Sequence, residues 1–383
     1  MKFDFLVLGG TGLQGKIVTK DLLKNSYSVL MCGRDKSRIQ NLLKKYKKTD
    51  FEYVDLRNIK HAAQVIKKSG ADVVVNCAEE DWDLNALKAC LIAGAHLLDL
   101  GSEIPMTKKQ FALDKTLKKK GLIHITGCGS VPGIGNVMLN HASKKFGSIE
   151  TIEVGYAWNS NIKKFVVPFS IPTILTEFTA PATNIENGKI INIIPLSTLK
   201  DHHDKFVGEE KLFSVRHPET YTFYHYFKNK GLKTIRFYGE FPPHSFEKIM
   251  AMIDLGLGGK RSIKIKGRKI VPLEFLTELL KHLKYPKGYK EKEDLWVTIY
   301  GKKNGKDKVI KMNCVVPTLK GWEDAGCNID TGMPASIMAQ MVKKGLIKER
   351  GAFAPEAIIP PEPFFKELRK RKMVVYENGK IIN

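Results

Sequence analysis

The sequence predicts an α/β protein with a doubly wound parallel sheet, followed by a second, α+β domain. Short apolar segments alternate with helical segments through residues 1–130, as they do in parallel sheets covered by helices on both faces. A glycine-rich turn joins the first strand to the first helix. After Ser148 the pattern changes to runs in which polar and apolar residues alternate, which indicates antiparallel strands. The first domain is therefore predicted to have the Rossmann architecture.

The first strand, Phe3–Leu8, leads directly into a glycine fingerprint and an apolar-periodic helix. Gly10 suits the tight turn, Gly12 allows a diphosphate to approach the backbone, and Gly15 allows close helix–strand packing. The helix N-terminus offers unpaired amides to phosphates. A simple glycine-rich turn is the alternative, but this strand–turn–helix context favours dinucleotide binding. We assign the following residues to cofactor binding: Gly10, Thr11, Gly12, Leu13, Gln14 and Gly15.

The end of the second strand favours NADP, with NAD possible. NAD sites usually carry an acidic residue there, which binds the ribose 2′-hydroxyl. Here Cys32 replaces the acid, and Arg34 follows two residues later. A guanidinium binds phosphate through a bidentate fork, and Ser37 offers a further donor. The alternative is that Arg34 only caps a surface turn.

The rest of the first domain continues the alternation to a total of six strands, and ligands bind at the carboxyl ends of such strands. Asp55 ends the third strand, and Asn76, Cys77 and Ala78 follow the fourth, so we assign all four to the cofactor. The further strands are predicted at 51–54, 72–77, 96–100 and 122–126, and the helices at 37–47, 59–68, 84–93 and 107–119.

The second domain is predicted to contain strands with helices between them. Further along the chain, a helix is predicted to begin at Pro334, since proline suits the first helical turn. The tail is predicted to end in a helix and a short strand. We expect domains at 1–130 and 131–331, with a segment 332–383 that packs back on the first domain. The clearest strand patterns are 150–158, 189–195, 233–238, 295–300 and 309–314.

Acidic residues beyond the fourth and fifth strands are candidates for proton transfer, because strand ends face the reactive end of the cofactor. They are Glu79, Glu80, Asp99 and Glu103. Asp99 ends a strand and can equally cap a loop. Four glycines and a proline follow the sixth strand, and we assign Pro132 and Gly133 there to a second amide cradle. An ordinary interdomain turn is the alternative.

That last loop, Gly127-Cys128-Gly129-Ser130-Val131-Pro132-Gly133-Ile134-Gly135-Asn136, resembles the G-x-x-P-G-x-x-N segment of the saccharopine dehydrogenase superfamily. The chain looks most similar to its lysine 6-dehydrogenase and saccharopine-dehydrogenase-like branch. Val131 stands where the reductases of the superfamily commonly carry an acid, and the lysine 6-dehydrogenase-like members are apolar there. Further similar stretches are 176–182, 187–189, 233–239, 253–256, 332–337 and 350–356.

The resemblance implies an NAD(P)-dependent oxidoreductase that transfers hydride at a CH–NH bond of lysine or a lysine-like amine, working as a homodimer built through the second domain. An amino-acid substrate needs cations for its carboxylate, and the candidates are Arg216 and Arg236. Structural ion pairs are the alternative for both arginines. Two other functions stay open: a saccharopine- or carboxyspermidine-type reductase that condenses an aldehyde with an amine, and a non-catalytic NADP-sensing regulator.

The charge and cysteine content indicate which classes of binding partner and which compartment to expect. The chain carries 63 basic and 40 acidic residues, a net charge of +23, but its lysine runs lack a nucleic-acid recognition motif, so we expect neither a nucleic-acid nor a membrane partner. Six widely spaced cysteines without a CxxC pair predict a reduced, cytoplasmic protein. His202-His203-Asp204 lacks a third ligand at metal-site spacing, so no metal is predicted. Cys128 is expected to be buried and inert.

Overall fold

The computed structural model describes residues 2–101 and 103–383. The first part contains β1 (Phe5–Leu8), α1 (Leu13–Lys24), β2 (Val29–Gly33), α2 (Gln40–Lys45), β3 (Thr49–Tyr53), α3 (Ile59–Ser69), β4 (Val73–Asn76), α4 (Asp83–Ala93), β5 (His96–Asp99), α5 (Ile104–Phe111), α6 (Asp114–Lys119), β6 (Ile123–Ile125) and α7 (Ile134–Ser143). The middle part contains β7 (Ser148–Ser160), α8 (Ile171–Thr179), β8 (Ala182–Glu186), β9 (Lys189–Ile193), β10 (Lys200–Asp204), β11 (Gly208–Ser214), α9 (Glu219–Phe227), β12 (Thr234–Phe241), α10 (Pro243–Asp254), β13 (Ile263–Ile265), β14 (Arg268–Ile270), α11 (Pro272–Lys281), β15 (Glu291–Lys303) and β16 (Lys306–Pro317). The last part contains α12 (Ile329–Lys343), β17 (Gly351–Phe353), α13 (Pro355–Ile358), α14 (Pro361–Lys370), β18 (Val374–Glu377) and β19 (Lys380–Ile381).

The first sheet is parallel, with β1 near its centre and the strand order β17-β6-β5-β4-β1-β2-β3. Its central strands β1, β2 and β4 are buried at every position and are apolar almost throughout, with Asn76 at the end of β4 as the polar exception. Such runs form where helices cover both faces of a sheet. The predicted doubly wound architecture is confirmed, and the six predicted strands gain a seventh, β17.

The second sheet is mixed, as predicted for an α+β domain. Its main path runs β10-β11-β12-β7-β15-β16-β18-β19, and β8 and β9 attach beside β12. β7 and β12 pair in parallel, whereas β7 and β15 pair antiparallel along nearly their whole length. Alternate residues of β7, such as Ile152, Val154 and Tyr156, are buried on one face. That face and the first sheet enclose a continuous apolar core with α7 and α12 between them.

Residues 332–383 divide between the two sheets. β17 pairs with β6 of the first sheet, and β18 pairs with β16 of the second. Helix α12 lies against α1, where Ser336 Oγ donates to Asp21 and Arg371 from beyond α14 binds the same carboxylate. The predicted domain limits, 1–130, 131–331 and 332–383, stay a prediction.

Two predicted helices differ from the structure. Pro334 was expected to begin a helix, but it lies inside α12, which starts at Ile329 after a short 3-10 turn. The predicted helix 107–119 is broken into α5 and α6. At this break, Asp114 Oδ1 accepts a 3.0 Å hydrogen bond from the backbone nitrogen of Ala352 in the edge strand β17. None of the helices within residues 2–101 and 103–383 has the length and apolar character that a membrane crossing requires.

Candidate active site

The turn between β1 and α1 is built for close backbone approach. A Cβ atom at Gly15 would lie 2.4 Å from the Gly9 carbonyl oxygen, so only glycine fits there. Gly12 caps α1 with extended backbone and no side chain. The amides of the first helical turn, from Leu13 to Gly15, have no carbonyl partner within the helix. They are therefore free to bind an anion at the positive end of α1, and this geometry fits the diphosphate of a dinucleotide.

The neighbouring cofactor candidates are held by the protein itself. Gly9 has a φ of +66°, and a Cβ there would lie 2.5 Å from the Ala78 nitrogen, so the loops after β1 and β4 touch. Asn76 is buried and donates to Asp83 at 2.7 Å, so it shapes the loop that carries Cys77 and Ala78. Thr11 packs beside Gly33, and Gln14 Nε2 donates to Asn328 at 3.3 Å.

The ends of β2 and β3 carry the residues expected to distinguish NADP from NAD. Arg34 is exposed, whereas the Ser37 hydroxyl donates to Asp35 at 2.5 Å and so belongs to a local turn. Hydrogen bonds from Arg57 lower the pKa of Asp55 to about 2, and the Arg34 charge acts in the same direction. A groove of about 600 Å³ runs along Asp55, Arg57 and the first turn of α3, which places Asp55 on an accessible surface suited to the nucleotide.

The structure corrects the expectation for Asp99. Its side chain is fully buried, and Oδ1 accepts from the backbone nitrogens of Gly101 and Gly127 at 2.9 and 3.2 Å. Oδ2 accepts from Gln110 at 2.7 Å. Both oxygens are occupied by bonds that hold the loops after β5 and β6. Asp99 is therefore a loop-holding residue rather than a proton-transfer group.

The other predicted acids lie nearer the surface. Glu79 is exposed at the start of a short 3-10 turn. The Glu103 carboxylate forms an ion pair with Arg216, and the Glu103 backbone nitrogen donates to Glu80 Oε2 at 3.3 Å. Glu103 and Arg216 thus join the first domain to the segment before α9. This contact brings two of the predicted site residues together where the first domain meets the second; we call this boundary, formed by the loop after β5, the segment before α9 and the facing sides of α8 and β12, the cleft.

Arg236 is engaged elsewhere, and the expectation that it binds substrate is corrected. Its Nε and Nη2 atoms bind the two carboxylate oxygens of Glu186 at 2.6 and 3.0 Å, and Nη1 binds Glu153 at 3.0 Å. On β12 its neighbours Ile235 and Phe237 are fully buried. Successive side chains of a strand point to opposite faces, so Arg236 lies on the face of the sheet away from the cleft.

The cleft contains a cluster that the sequence analysis did not assign. The Tyr156 hydroxyl, from β7, donates to Glu177 Oε2 of α8 at 2.6 Å. Glu177 Oε1 lies 4.0 Å from His217 Nε2. His217 Nδ1 lies 2.9 Å from Glu219 Oε2, and the imidazole stacks on the Phe237 ring with 3.9 Å between centroids. The only signals in the sequence were that 176–182 resembled a family stretch and that Arg216, the residue before His217, was a candidate for binding a substrate carboxylate.

The electrostatics of this cluster suit proton exchange near neutrality. Burial raises the pKa of Glu177 to about 7, against the opposing effects of His217 and the Tyr156 hydrogen bond. Burial alone would lower the pKa of His217, but Glu219 first, then Glu177 and Glu103, outweigh it and raise that pKa. The buried Glu219 carboxyl on Nδ1 fixes the imidazole so that Nε2 is directed towards Glu177, as carboxylates orient the histidines of catalytic triads.

A second pair of carboxyls lies beside the glycine-rich loop after β6. Glu293 of β15 and Asp330 of α12 hydrogen-bond to each other, and burial raises the pKa of both. The adjacent Thr331 hydroxyl lies 3.5 Å from Ser130 Oγ. Because burial disfavours the charged forms of both carboxyls, a cationic group placed beside them would stabilise those forms.

The loop after β6 is held by its own residues. Gly133 has a φ of +137°, and a Cβ there would lie 1.9 Å from the Gly129 carbonyl oxygen. The Gly133 nitrogen donates to Asn136 Oδ1 at 2.8 Å. Pro132 packs against Gly101, so the predicted cofactor residues Pro132 and Gly133 lie beside the loop after β5. Val131 is buried, and its side chain contacts Gly135.

Metal ligands are not part of this arrangement. In the described part of the chain, no group of three or more His, Cys, Asp or Glu side chains is placed to hold a metal ion. His202 Nδ1 instead lies 2.5 Å from Glu240 Oε2, and His203 Nδ1 lies 2.5 Å from Glu209 Oε1. Cys128 is fully buried, and burial raises the pKa of its thiol.

Comparison with known proteins covers nearly the whole chain. The saccharopine dehydrogenase NADP binding domain matches residues 5–125, and the saccharopine dehydrogenase C-terminal domain matches residues 128–374. Carboxyaminopropylagmatine dehydrogenase of Synechocystis is 26% identical over 363 residues, which cover 91% of this chain and 88% of the relative. Saccharopine dehydrogenase (L-Glu forming) of Saccharomyces cerevisiae superposes with a TM-score of 0.76 at 16% identity, with 100% of both chains covered.

Proposed function

Since the chain belongs to the saccharopine dehydrogenase family and carries that family's NADP-binding domain, we propose that it is an NADP-dependent oxidoreductase acting on a carbon–nitrogen bond of an amino-acid-derived amine. The glycine-rich turn before α1 would hold the diphosphate, and Arg34 the 2′-phosphate. Bound NADPH supplies the hydride.

One observation carries the proposal: His217, oriented by buried Glu219, faces Glu177 across 4.0 Å at the cleft between the sheets. In the reductive direction, His217 Nε2 would give its proton to the substrate nitrogen as hydride reaches the neighbouring carbon. In the oxidative direction the same atom takes the proton back. Glu177, with a pKa raised to about 7 by burial, would bind the amine or help to remove water.

The charges around the cleft support a substrate with more cationic than anionic groups. Glu177 and the Glu293–Asp330 pair suit an amine or guanidine, and Arg216 suits a carboxylate. The relative from Synechocystis is named for carboxyaminopropylagmatine, a compound that bears both carboxyl and amino groups. This agreement supports a secondary amine formed from an amine and a carboxyl-bearing aldehyde, alongside lysine-like amines.

Turnover assays separate these substrates. NADP reduction would be followed with lysine alone, and NADPH oxidation with aspartate semialdehyde plus agmatine, a diamine or lysine. Turnover with lysine alone supports a lysine dehydrogenase, and turnover that requires both an aldehyde and an amine supports the condensing reductase. NADPH binding without oxidation or reduction across the whole panel would instead favour a sensor and overturn the proposal.

We further propose that the protein acts as a cytoplasmic homodimer in amino-acid or polyamine metabolism. All six cysteines are free, which suits a reducing compartment. The second domain exposes apolar side chains along and before α11, among them Leu255, Phe275 and Leu279, which suits a subunit contact. Light scattering of the purified chain tests this, and a mass of one chain would contradict the dimer.

A further inference from the structure

A small cavity bordered by two threonine hydroxyls lies between the start of α9 and the loops after β5 and β6. Its volume is about 10 Å³, and it is bordered by Asn136, Pro218, Thr222 and Thr126. Within residues 2–101 and 103–383, the buried hydroxyl oxygens of Thr126 and Thr222 have no hydrogen-bond partner. A cavity of this size and polarity suits one water molecule.

Glu356, from α13, lies against the Asn136 and Thr222 side chains that border this cavity. Its side chain is only 4% exposed. Oε2 accepts a 2.7 Å hydrogen bond from Asn136 Nδ2, whereas Oε1 has no partner in the described part of the chain. Burial raises the pKa of Glu356 to about 7, and the neighbouring Asn136 and Thr222 side chains oppose that effect. Near neutral pH this carboxyl therefore exchanges a proton readily.

Glu219 connects this carboxyl to the proposed proton donor. It is fully buried, and its Oε2 atom is 2.9 Å from His217 Nδ1. Its Oε1 atom has no partner among the residues described. The Glu219 charge also contributes to the raised pKa of Glu356, so the two carboxyls interact. Glu219 begins α9, and Glu356 lies against Thr222, about one turn further along the same helix, so a change in the charge of Glu356 acts on the Glu219–His217 pair.

We propose that Glu356 is a positioning residue for the reaction: it holds a proton behind the His217–Glu219 pair, and loss of that proton makes His217 hold its own more tightly. The inference rests on the proposed role of His217 as proton donor. Asn136 bonds both Glu356 and the Gly133 nitrogen, so the same carboxyl also supports the loop after β6.

The sign follows from the surrounding charges. A carboxylate stabilises a nearby imidazolium, so ionised Glu356 adds to the effect of Glu219. His217 then stays protonated at higher pH, which widens the range in which it can protonate the substrate nitrogen. The groups that face His217 are Glu219, Glu177 of α8 and Glu103 of the loop after β5, the last paired with Arg216. Those that face Glu356 are Asn136 of α7 and Thr222, Glu219 and Tyr226 of α9.

The test is an NMR titration of the His217 imidazole in the substrate-free protein, its signal identified by loss in His217→Asn. In Glu356→Gln the amide oxygen keeps the Asn136 bond and the charge is removed. We expect the His217 midpoint to fall by about half a pH unit or more. In the reductive direction, the pH at which kcat falls on the alkaline side of its profile should decrease by the same amount as the His217 midpoint, while KM is unchanged. Glu356→Asp should restore most of the wild-type midpoint.

Glu210→Gln is the matched control, because Glu210 is also a buried glutamate with a raised pKa but bonds Asn159 instead. Its substitution should leave the His217 midpoint in place. An unchanged midpoint in folded Glu356→Gln overturns the inference, whatever the activity. Absence of turnover by the wild-type protein overturns the proposed function, whatever the titration shows. Should Glu356→Gln fail to fold, Glu356→Ala, which also removes the charge, takes its place: a fall of the His217 midpoint supports the inference, and the unchanged midpoint expected of Glu210→Gln overturns it.

Discussion

The Tyr156 hydroxyl donates a 2.6 Å hydrogen bond to Glu177, and this bond joins the central strand β7 to helix α8 inside the cleft. It opposes the effect of burial on the Glu177 carboxyl by favouring the charged form. The bond therefore holds the carboxyl in the range where it can change charge during a reaction at neutral pH.

Replacing Tyr156 by Phe should raise the pKa of Glu177, because the charged carboxylate loses a donor. We expect the corresponding limb of the pH–rate profile to move up by about half to one pH unit. Tyr300→Phe is the control, since its hydroxyl bonds Glu153 on the other face of the sheet at 3.3 Å. Identical profiles for both variants would contradict a role for Glu177.

Replacing His217 by Gln should remove the proposed proton donor while keeping a side chain beside Glu219. A positioned acid–base group contributes about 10²–10⁴-fold, so kcat should fall within that range, with NADPH affinity unchanged by fluorescence titration. His203→Gln, at an exposed histidine of β10, should leave kcat intact. A loss of less than tenfold for His217→Gln would remove this histidine from the chemistry.

Replacing Arg34 by Ala should weaken NADPH binding far more than NADH binding. A hydrogen bond to a charged group contributes about 1.5–3 kcal/mol, and only NADPH carries the 2′-phosphate. Calorimetry with both cofactors measures the difference, and Lys36→Ala, an exposed neighbour, is the control. Equal losses for the two cofactors would contradict the assignment.

Substitution of Arg216 and of Arg236 should have different effects on the KM for substrate. Arg216→Ala is expected to raise the KM for a carboxyl-bearing substrate, because Arg216 lies at the cleft beside Glu103. Arg236→Ala should leave KM unchanged and reduce the free energy of unfolding by about 1 kcal/mol at most, since its partners are partly exposed. An increase in KM for Arg236→Ala would restore it as a substrate ligand.

Glu210 should make stability depend on pH. Burial, with Glu240 adding to it, raises the pKa of Glu210 to about 9. In the unfolded chain this carboxyl ionises near its ordinary value, so between those two pH values the folded state binds more protons and the free energy of unfolding falls as pH rises. Glu210→Gln should remove that fall. From pH 5 to pH 9, the free energy of unfolding of the wild type should therefore decrease by about 1 kcal/mol or more relative to that of the variant. Denaturant unfolding measures this, and exposed Glu209→Gln, which should show the wild-type slope, is the control.

The first sheet could be predicted because its central strands β1, β2 and β4 are buried on both faces and are therefore almost entirely apolar. β17 could not, since its residues, Gly351–Phe353, are too few to show a period, and they pair with a strand far away in the sequence. The same limit applied to Pro334, whose place within α12 depends on the 3-10 turn that precedes the helix.

Strand ends indicated where the cleft lies but not which acid faces it. Asp99 and Glu103 both follow β5, yet two backbone nitrogens and Gln110 occupy the first, and Arg216 pairs with the second. His217 and Glu219 are neighbours in sequence, but Glu177 reaches them only because α8 packs over β12. No local sequence pattern indicates that contact, so the cluster of His217, Glu219 and Glu177 could not be predicted from the sequence.

The pairing of β17 with β6 bears on how the molecule is made. A ribosome releases the first six strands of the cofactor domain long before Gly351–Phe353 emerge, and until then the β6 edge presents unpaired amides and carbonyls. The domain that begins the chain is thus among the last to be completed. During translation that edge is open to pairing with other nascent chains, and holdase chaperones are expected to protect it.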